Sequence, residues 1–272
     1  MQRSIFGEAV KGASHKNNNI SCQDAFKIEP LSDTCSIVAV ADGHGSSACP
    51  YSKYGSEMAV NTFCYIIRRI YDSCEGNLEK VLSYLNQDGE IKVAQAIDLE
   101  WKKRVLKAHT RSKRNVPVKD DGKKDKTAIY KQYGTTLLGL FIAPDFVYSF
   151  QLGDGDMTLV NKDIIEPIIT ADKILGVETH SLSKEHSWES SLSSVLRIEA
   201  VEKPVVLMVS TDGFSNSYLN DDEYRKACRD YFDLICEHGT DVISKHLKAW
   251  LDDTSKCGCG DDITTVFVYM QE

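Results

Sequence analysis

Three aspartates stand beside hydrophobic runs far apart in the chain. Asp42 follows CSIVAVA and opens DGHG, Asp212 follows VVLMVS and opens DGF, and Asp261 lies in GDD just before ITTVFVYM. Apolar, β-branched runs bounded by Gly and Asp read as buried strands. A carboxylate at a strand end is held by the sheet yet can still face solvent or a cation. Three of them read as one cluster in space. Packed carboxylates repel, so such a cluster calls for hard cations, and oxygen ligands suit magnesium or manganese. The simpler alternative is three unrelated turn aspartates, because Asp is a common turn residue.

The elements that would position these residues follow from the pattern. Residues 3–11 and 25–29 read as strands around the polar loop HKNNNISCQD, and 35–41 as a buried strand. A helix is expected from Lys53 to Tyr71, with Met58, Phe63, Ile66, Ile67 and Ile70 at near-helical spacing. A second should cover Leu78 to His109, with Asp88-Gly89 as an interruption. GTTLLGLFI, FVYSFQL and MTLV follow with connections too short for helices, which predicts antiparallel strands. Residues 161–200 read as an irregular surface excursion, 205–210 as a strand, 221–237 and 240–252 as helices, and 263–270 as the last strand. The expected fold class is α/β in a layered sandwich with mainly antiparallel sheets.

Length and composition set bounds. The 272 residues are 42% hydrophobic and 26% charged, with a net charge of −8. One domain spanning 1–272 accommodates them. The acidic balance argues against nucleic acid as the main partner. No run reaches the roughly 18 apolar residues of a membrane span, and the first residues lack a signal-peptide pattern. The nine cysteines, an odd number, read as reduced thiols in a cytoplasmic protein. Cys257 and Cys259 form a CxC pair beside Asp261, a weak metal signal without further ligands nearby.

One composition shift stands out. Residues 102–126 carry eleven Lys/Arg against three Asp, an excess of +8, which leaves −16 on the rest of the chain. The part from 111 to 126 reads as an exposed, mobile basic loop, either a docking surface for an acidic or phosphorylated partner or a merely solvated segment.

ADGHG, YGTT, LGDGD, STDGF and GDDIT occur in this order over almost the whole chain. Together they resemble the metal-dependent protein phosphatases of type 2C, and the match is closer to a compact bacterial branch than to the large eukaryotic enzymes. The resemblance implies a four-layer α-β-β-α sandwich, two antiparallel sheets flanked by antiparallel helix pairs. It implies two Mn²⁺ or Mg²⁺ ions, with a third in some members. By position Asp42 would bridge the two metals, Gly43 would offer its carbonyl, and Asp212 and Asp261 would hold one metal. Asp154 of LGDGD would help with the third, or serve only as a turn residue. Asp262 sits behind the ligands, where many relatives have Asn. Gly134, Thr135 and Thr136 read as strand packing beside the site. The implied reaction is in-line attack on a phosphoserine or phosphothreonine by a metal-activated water, with His44 protonating the leaving oxygen. The implied partner is a phosphorylated protein, a kinase or a kinase target, met by a monomer.

Two departures from the family pattern matter. The first motif usually reads Arg-x-x-Asn-Glu-Asp, and here the segment is NISCQD. Gln23 replaces the Glu that supports metal-bound water, while Asp24 is kept. The phosphate-clamping arginine maps onto Asn19, which makes no charged fork. His15, Lys16 and Arg3 are the candidates to supply the missing positive charge. The segment between LGDGD and STDG is short, so the substrate-facing flap is expected to shrink to residues 173–190.

Three rival readings remain. DGDMT at 154–158 fits the DxDx(T/V) motif of haloacid-dehalogenase-like phosphatases, but that chemistry needs a doubly wound parallel sheet. A catalytically weak relative that binds a phosphorylated partner or kinase would account for Gln23 and the absent arginine. A nucleic-acid-binding domain built on 102–126 lacks interleaved aromatics.

Overall fold

The computed structural model describes residues 2–170 and 180–272. In chain order the elements are β1 (Gln2–Val10), α1 (Ala13–Asn17), β2 (Ala25–Pro30), β3 (Ser36–Ala41), α2 (Ser52–Ser73), α3 (Leu78–Asp88), α4 (Ala94–Arg111) and α5 (Lys126–Lys131). Then come β4 (Leu137–Ile142), β5 (Phe146–Leu152), β6 (Asp156–Asn161), β7 (Ile165–Pro167), β8 (Leu192–Arg197), β9 (Val205–Ser210), α6 (Asp212–Ser215), α7 (Asp221–His238), α8 (Thr240–Cys257) and β10 (Ile263–Gln271). One sheet has the order β1-β10-β9-β6-β7 and the other β2-β3-β4-β5-β8. Every pairing is antiparallel.

Strand alternation explains the layering. On β3, Ile37, Ala39 and Ala41 pack toward α2 and α4, while Val38 and Val40 face the other sheet. On β9, Val205, Leu207 and Val209 meet that inter-sheet core, and Val206 and Met208 meet the α7 and α8 side. Both faces of the central strands are therefore buried. They read as continuous apolar runs although antiparallel sheets usually alternate. Three cores separate four layers, α-β-β-α, as expected.

The helices end where local chemistry dictates. Asn77 and Asn220 cap α3 and α7 by accepting the Lys80 and Glu223 N–H groups at 3.0 Å. The expected interruption at Gly89 is a π turn, Gly89–Val93. There the buried Tyr148 hydroxyl donates to the Gly89 carbonyl at 3.0 Å, and a Cβ on Gly89 would lie 3.1 Å from the Tyr148 ring. The side-chain insertion breaks the helical ladder.

Several expectations need correction. β4 and β5 form the expected hairpin, but LGDGD is not a hairpin turn: β5 and β6 lie in different sheets, and this segment carries the chain across between them. Residues 161–200 are not wholly irregular, since β7 and β8 extend the two sheets there. Both strands are short or half-exposed, so neither has the apolar run that marks a core strand. Residues 111–126 are exposed but built as a small hairpin, with Val118 bridging Lys124 and the Lys119 N–H donating to Lys123 at 2.8 Å. Of the expected flap, 173–179 lie outside the described residues. In the remainder, the Leu182 N–H donates to the Thr135 carbonyl at 3.0 Å.

Trp101 is fully buried in the helix-side core and donates from Nε1 to the Gly55 carbonyl at 3.0 Å. Trp101→Phe removes that hydrogen bond and opens a cavity. Its expected cost is about 1–3 kcal/mol, read as a lower urea midpoint with unchanged m-value.

Candidate active site

The carboxylates meet at one end of the cleft between the sheets. Asp42 leaves β3 of one sheet, Asp212 leaves β9 of the other, and Asp261 precedes β10 beside it. Asp154 sits on the crossing between β5 and β6. Sequence separation of more than 200 residues between Asp42 and Asp261 is closed by antiparallel strands that end at the same edge.

Electrostatics report how close they are. Burial, then the charges of Asp24, Asp212, Asp261 and Asp154, hold the Asp42 carboxyl well above the usual carboxylate range. Burial, then Asp154, Asp261 and Asp156, push Asp212 up to about 6. Asp24 rises to about 8, driven first by burial and then by Asp262 and Asp261, and opposed by the Thr211 hydroxyl, which donates to it at 2.8 Å. The charges acting most strongly on Asp42 are all carboxylates. An all-oxygen, mutually repelling donor set fits hard divalent cations. The buried Gln23 Oε1, which has no hydrogen-bond partner, fits a site that expects a further polar occupant.

The backbone around Asp42 is clamped. Its N–H donates to Thr136 Oγ1 at 3.0 Å, and its carbonyl accepts from the Thr135 hydroxyl at 2.7 Å and the Thr136 N–H at 2.9 Å. Gly43 bridges Thr135, and a Cβ there would lie 2.6 Å from the Gln23 carbonyl, so only glycine permits this approach. The His44 N–H donates to the Gly134 carbonyl at 3.0 Å. A Cβ on Gly134 would sit 2.6 Å from His44 Cδ2, so this glycine is the wall against which the imidazole rests.

Asp262 is buried next to Asp261. Its Oδ1 accepts the Gly12 N–H at 2.6 Å and lies 2.9 Å from His15 Nδ1, and its Oδ2 accepts the Gln23 N–H at 2.7 Å. One buried carboxylate thus ties the first turn, the 23–24 segment and the C-terminal loop together. Gly12 and Thr211 were missed by sequence reasoning. The only available signals were the Gly of KGAS and the Thr inside STDGF.

The three candidate cations separate. Arg3 is at the far end of β1, bonded to the Thr34 and Ile142 carbonyls and to Ser36 Oγ. Seven residues of strand put it roughly 23 Å from the cleft end of β1, so the site does not include it. Lys16 pairs with Asp252 at 2.6 Å on α8. His15 is brought to the site: its Nε2 and Gln23 Oε1 both border the space that a Cβ on Gly45 would enter, at 3.9 and 3.2 Å. Asn19 is exposed in a turn with φ 54°. His15, Asp261 and Asp262 bring their ligand atoms within 4.8 Å of one another. Cys257 and Cys259 are exposed free thiols.

Two antiparallel sheets between helix layers, with acidic residues gathered at one end of the cleft, define a class of metal-site hydrolase folds. Residues 11–252 match the family model described as protein phosphatase 2C. The chain belongs to the protein phosphatase 2C family and is a protein serine/threonine phosphatase. No curated protein sequence matches it. Among solved structures, it is similar to the catalytic domain of the serine threonine protein phosphatase PstP, determined with two manganese ions. That match has a TM-score of 0.62 at 13% identity over 99% of each chain. The S. agalactiae serine/threonine phosphatase gives 0.63 at 16% identity, over 99% of this chain and 100% of that one. Stp1 from Staphylococcus aureus gives 0.65 at 13%, over 100% and 96%. Likeness at this identity carries the fold. The doubly wound sheet of the dehalogenase-like reading is absent among the described residues.

Asp24, Asp42 and Asp212 all have folded-state values above the ordinary 3.8, so the metal-free fold holds protons that the unfolded chain releases. Its stability is greatest below about pH 4 with respect to these groups and falls as pH rises through about 6 to 8. Thermal melts in EDTA should show a lower Tm at pH 8 than at pH 5.5, and manganese should raise Tm more at pH 8. A second contrast separates ligand from support. Asp262→Ala is expected to cost about 2–4 kcal/mol by orphaning buried donors. Asp261→Asn should leave metal-free stability equal or higher while weakening manganese binding by calorimetry.

Proposed function

We propose that Asp42, the Gly43 carbonyl, Asp212 and Asp261 hold two Mn²⁺ or Mg²⁺ ions, with Asp154 available to a third. The observation that carries this reading is the convergence of carboxylates from both sheets whose strongest electrostatic neighbours are one another. Once bound, the ions supply the activation of water and the neutralisation of phosphoryl oxygens that phosphate monoester hydrolysis needs.

The chain's own residues do the rest. Thr135 and Thr136 fix the Asp42 backbone, so its carboxylate has one direction. Gln23 Oε1 accepts a hydrogen bond from the attacking water, orienting it without adding charge. His15 Nε2 faces the phosphate in place of the missing arginine, with its ring held by Asp262 through Nδ1. His44, braced on Gly134, donates its proton to the departing serine or threonine oxygen. Attack is in line, and no covalent phosphoenzyme forms. The substrate is a phosphorylated protein, the product of a serine/threonine kinase. We place the protein in the cytoplasm, a reading supported by its nine free cysteines. Among the described residues no helix is long and apolar enough to cross a membrane.

Hydrolysis of a phosphothreonine peptide is expected with manganese or magnesium and not with EDTA. Asp42→Asn and Asp212→Asn should each lower kcat at least 100-fold, and Asp154→Asn should weaken turnover without abolishing it. Gly134→Ala should lower kcat with little change in metal affinity, because its Cβ presses on the His44 ring and on Cys49 Sγ rather than on a carboxylate. Absence of turnover in the wild type despite calorimetric metal binding would move the assignment to a phosphoprotein-binding relative.

A further inference from the structure

The basic run of 102–126 takes no part in the chemistry above. The fold gathers part of it. Lys102 of α4, Lys119 and Lys124 of the hairpin, and Lys126 of α5 line a cavity of about 340 Å³. Its walls also include Thr127, Tyr130 and Ser183 and one carboxylate residue, Glu185. Lys102 is paired with Asp98 at 2.8 Å. Lys119, Lys124 and Lys126 are exposed and make no ion pair among the described residues, whereas the neighbouring Lys123 does, with Asp121. Three unpaired ammonium groups held on one rim repel one another, and an anion offsets that repulsion.

The cavity's position relative to the cleft says which anion. Ser183 Oγ lies 3.0 Å from Ser181 Oγ, and Ser181 Oγ accepts the Thr135 N–H at 3.1 Å. Thr135 in turn donates its hydroxyl to the Asp42 carbonyl at 2.7 Å. The floor of the lysine cavity is thus only a few side chains from the carboxylate cluster. Three hydrogen bonds of about 3 Å each and the side chains between them make that separation roughly 10–15 Å, or about three to five residues of extended peptide. The donors are three unpaired lysines and the hydroxyl-bearing Thr127, Tyr130 and Ser183. A carboxylate has two oxygens and one charge, whereas a phosphate monoester has three terminal oxygens and about −1.5 to −2 charges. Phosphate matches the donor set better and overcomes the local charge of Glu185.

We propose that this cavity binds a second phosphoryl group on the substrate protein, about three to five residues from the phosphoserine or phosphothreonine in the cleft, so that the enzyme favours multiply phosphorylated segments. The proposal rests on the phosphatase reading, and its test separates the two. Phosphothreonine peptides would carry phosphoserine, glutamate or alanine four residues before or after the scissile position. The wild type should show a KM about tenfold lower for the doubly phosphorylated peptide in one of the two placements, with glutamate giving at most a threefold gain. The Lys119→Gln, Lys124→Gln, Lys126→Gln triple variant should lose this preference and keep wild-type turnover of p-nitrophenyl phosphate. The corresponding Lys→Arg triple variant should retain the preference. Anisotropy of a labelled, doubly phosphorylated peptide in EDTA reads the cavity without turnover and should show about tenfold weaker binding for the Gln variant. Equal binding by wild type and Gln variant overturns the proposal, as does a KM preference that survives in that variant. Binding of single-stranded RNA through these lysines, with no preference for a second phosphate, overturns it in favour of a nucleic-acid surface. Failure to hydrolyse p-nitrophenyl phosphate with any metal sinks the phosphatase reading and leaves the anisotropy result to judge the cavity.

Discussion

Repulsion among carboxylates is the constraint around which this molecule is built. Beyond burial, the charges of Asp24, Asp154, Asp212 and Asp261 resist ionisation of Asp42, those of Asp154 and Asp261 resist that of Asp212, and that of Asp261 resists that of Asp24. Left to itself, such a cluster would drive its segments apart. The fold withstands this because each segment is anchored by something other than the cluster. Asp42 and Asp212 leave strands buried on both faces, and Asp261 precedes one whose first six residues are buried. The stability cost is then charged to carboxylate ionisation, and divalent cations are the partners that remove it.

Asp262 is the counterpart to that repulsion. It is buried and satisfied, and its two oxygens gather Gly12, His15 and Gln23. Adjacent aspartates therefore differ in role: both charges raise Asp24, but Asp261 is exposed while the buried Asp262 also organises the segments around it. The Thr211 hydroxyl, donating to Asp24 and accepting the Thr264 N–H at 3.0 Å, is a second internal tie. These contacts join the first 24 residues to the last 12, which is why departures from the family motif near Gln23 leave the acidic core in place.

The departures also redistribute positive charge. An arginine at the site would bring a fixed cation to the phosphate, whereas His15 brings a ring already oriented by a carboxylate. The lysines that the chain has in excess lie instead on the hairpin and α5, at the far side of Thr135 from Asp42.

The sequence alone determined the strands and long helices, because buried runs such as SIVAVA and VVLMVS and the periodicity of 53–71 have few other ways to satisfy their backbone and bury their surface. It also marked Asp42, Asp212 and Asp261, since a carboxylate at the end of such a run is legible locally. Tertiary structure decided what depended on partners distant in the chain. It placed β5 and β6 in different sheets, because a three-residue connection is compatible with a hairpin or a crossing and only packing between layers distinguishes them. It recruited β7 and β8, whose sequences lack a core pattern because they pair at sheet edges. Of the three candidate cations it brought only His15 beside Gln23, because strand direction carries Arg3 to the opposite end of the sheet and Asp252 takes Lys16. Gly134 and Gly12 became legible only in space, where a missing Cβ leaves room for the His44 imidazole or for the backbone of residues 260–262.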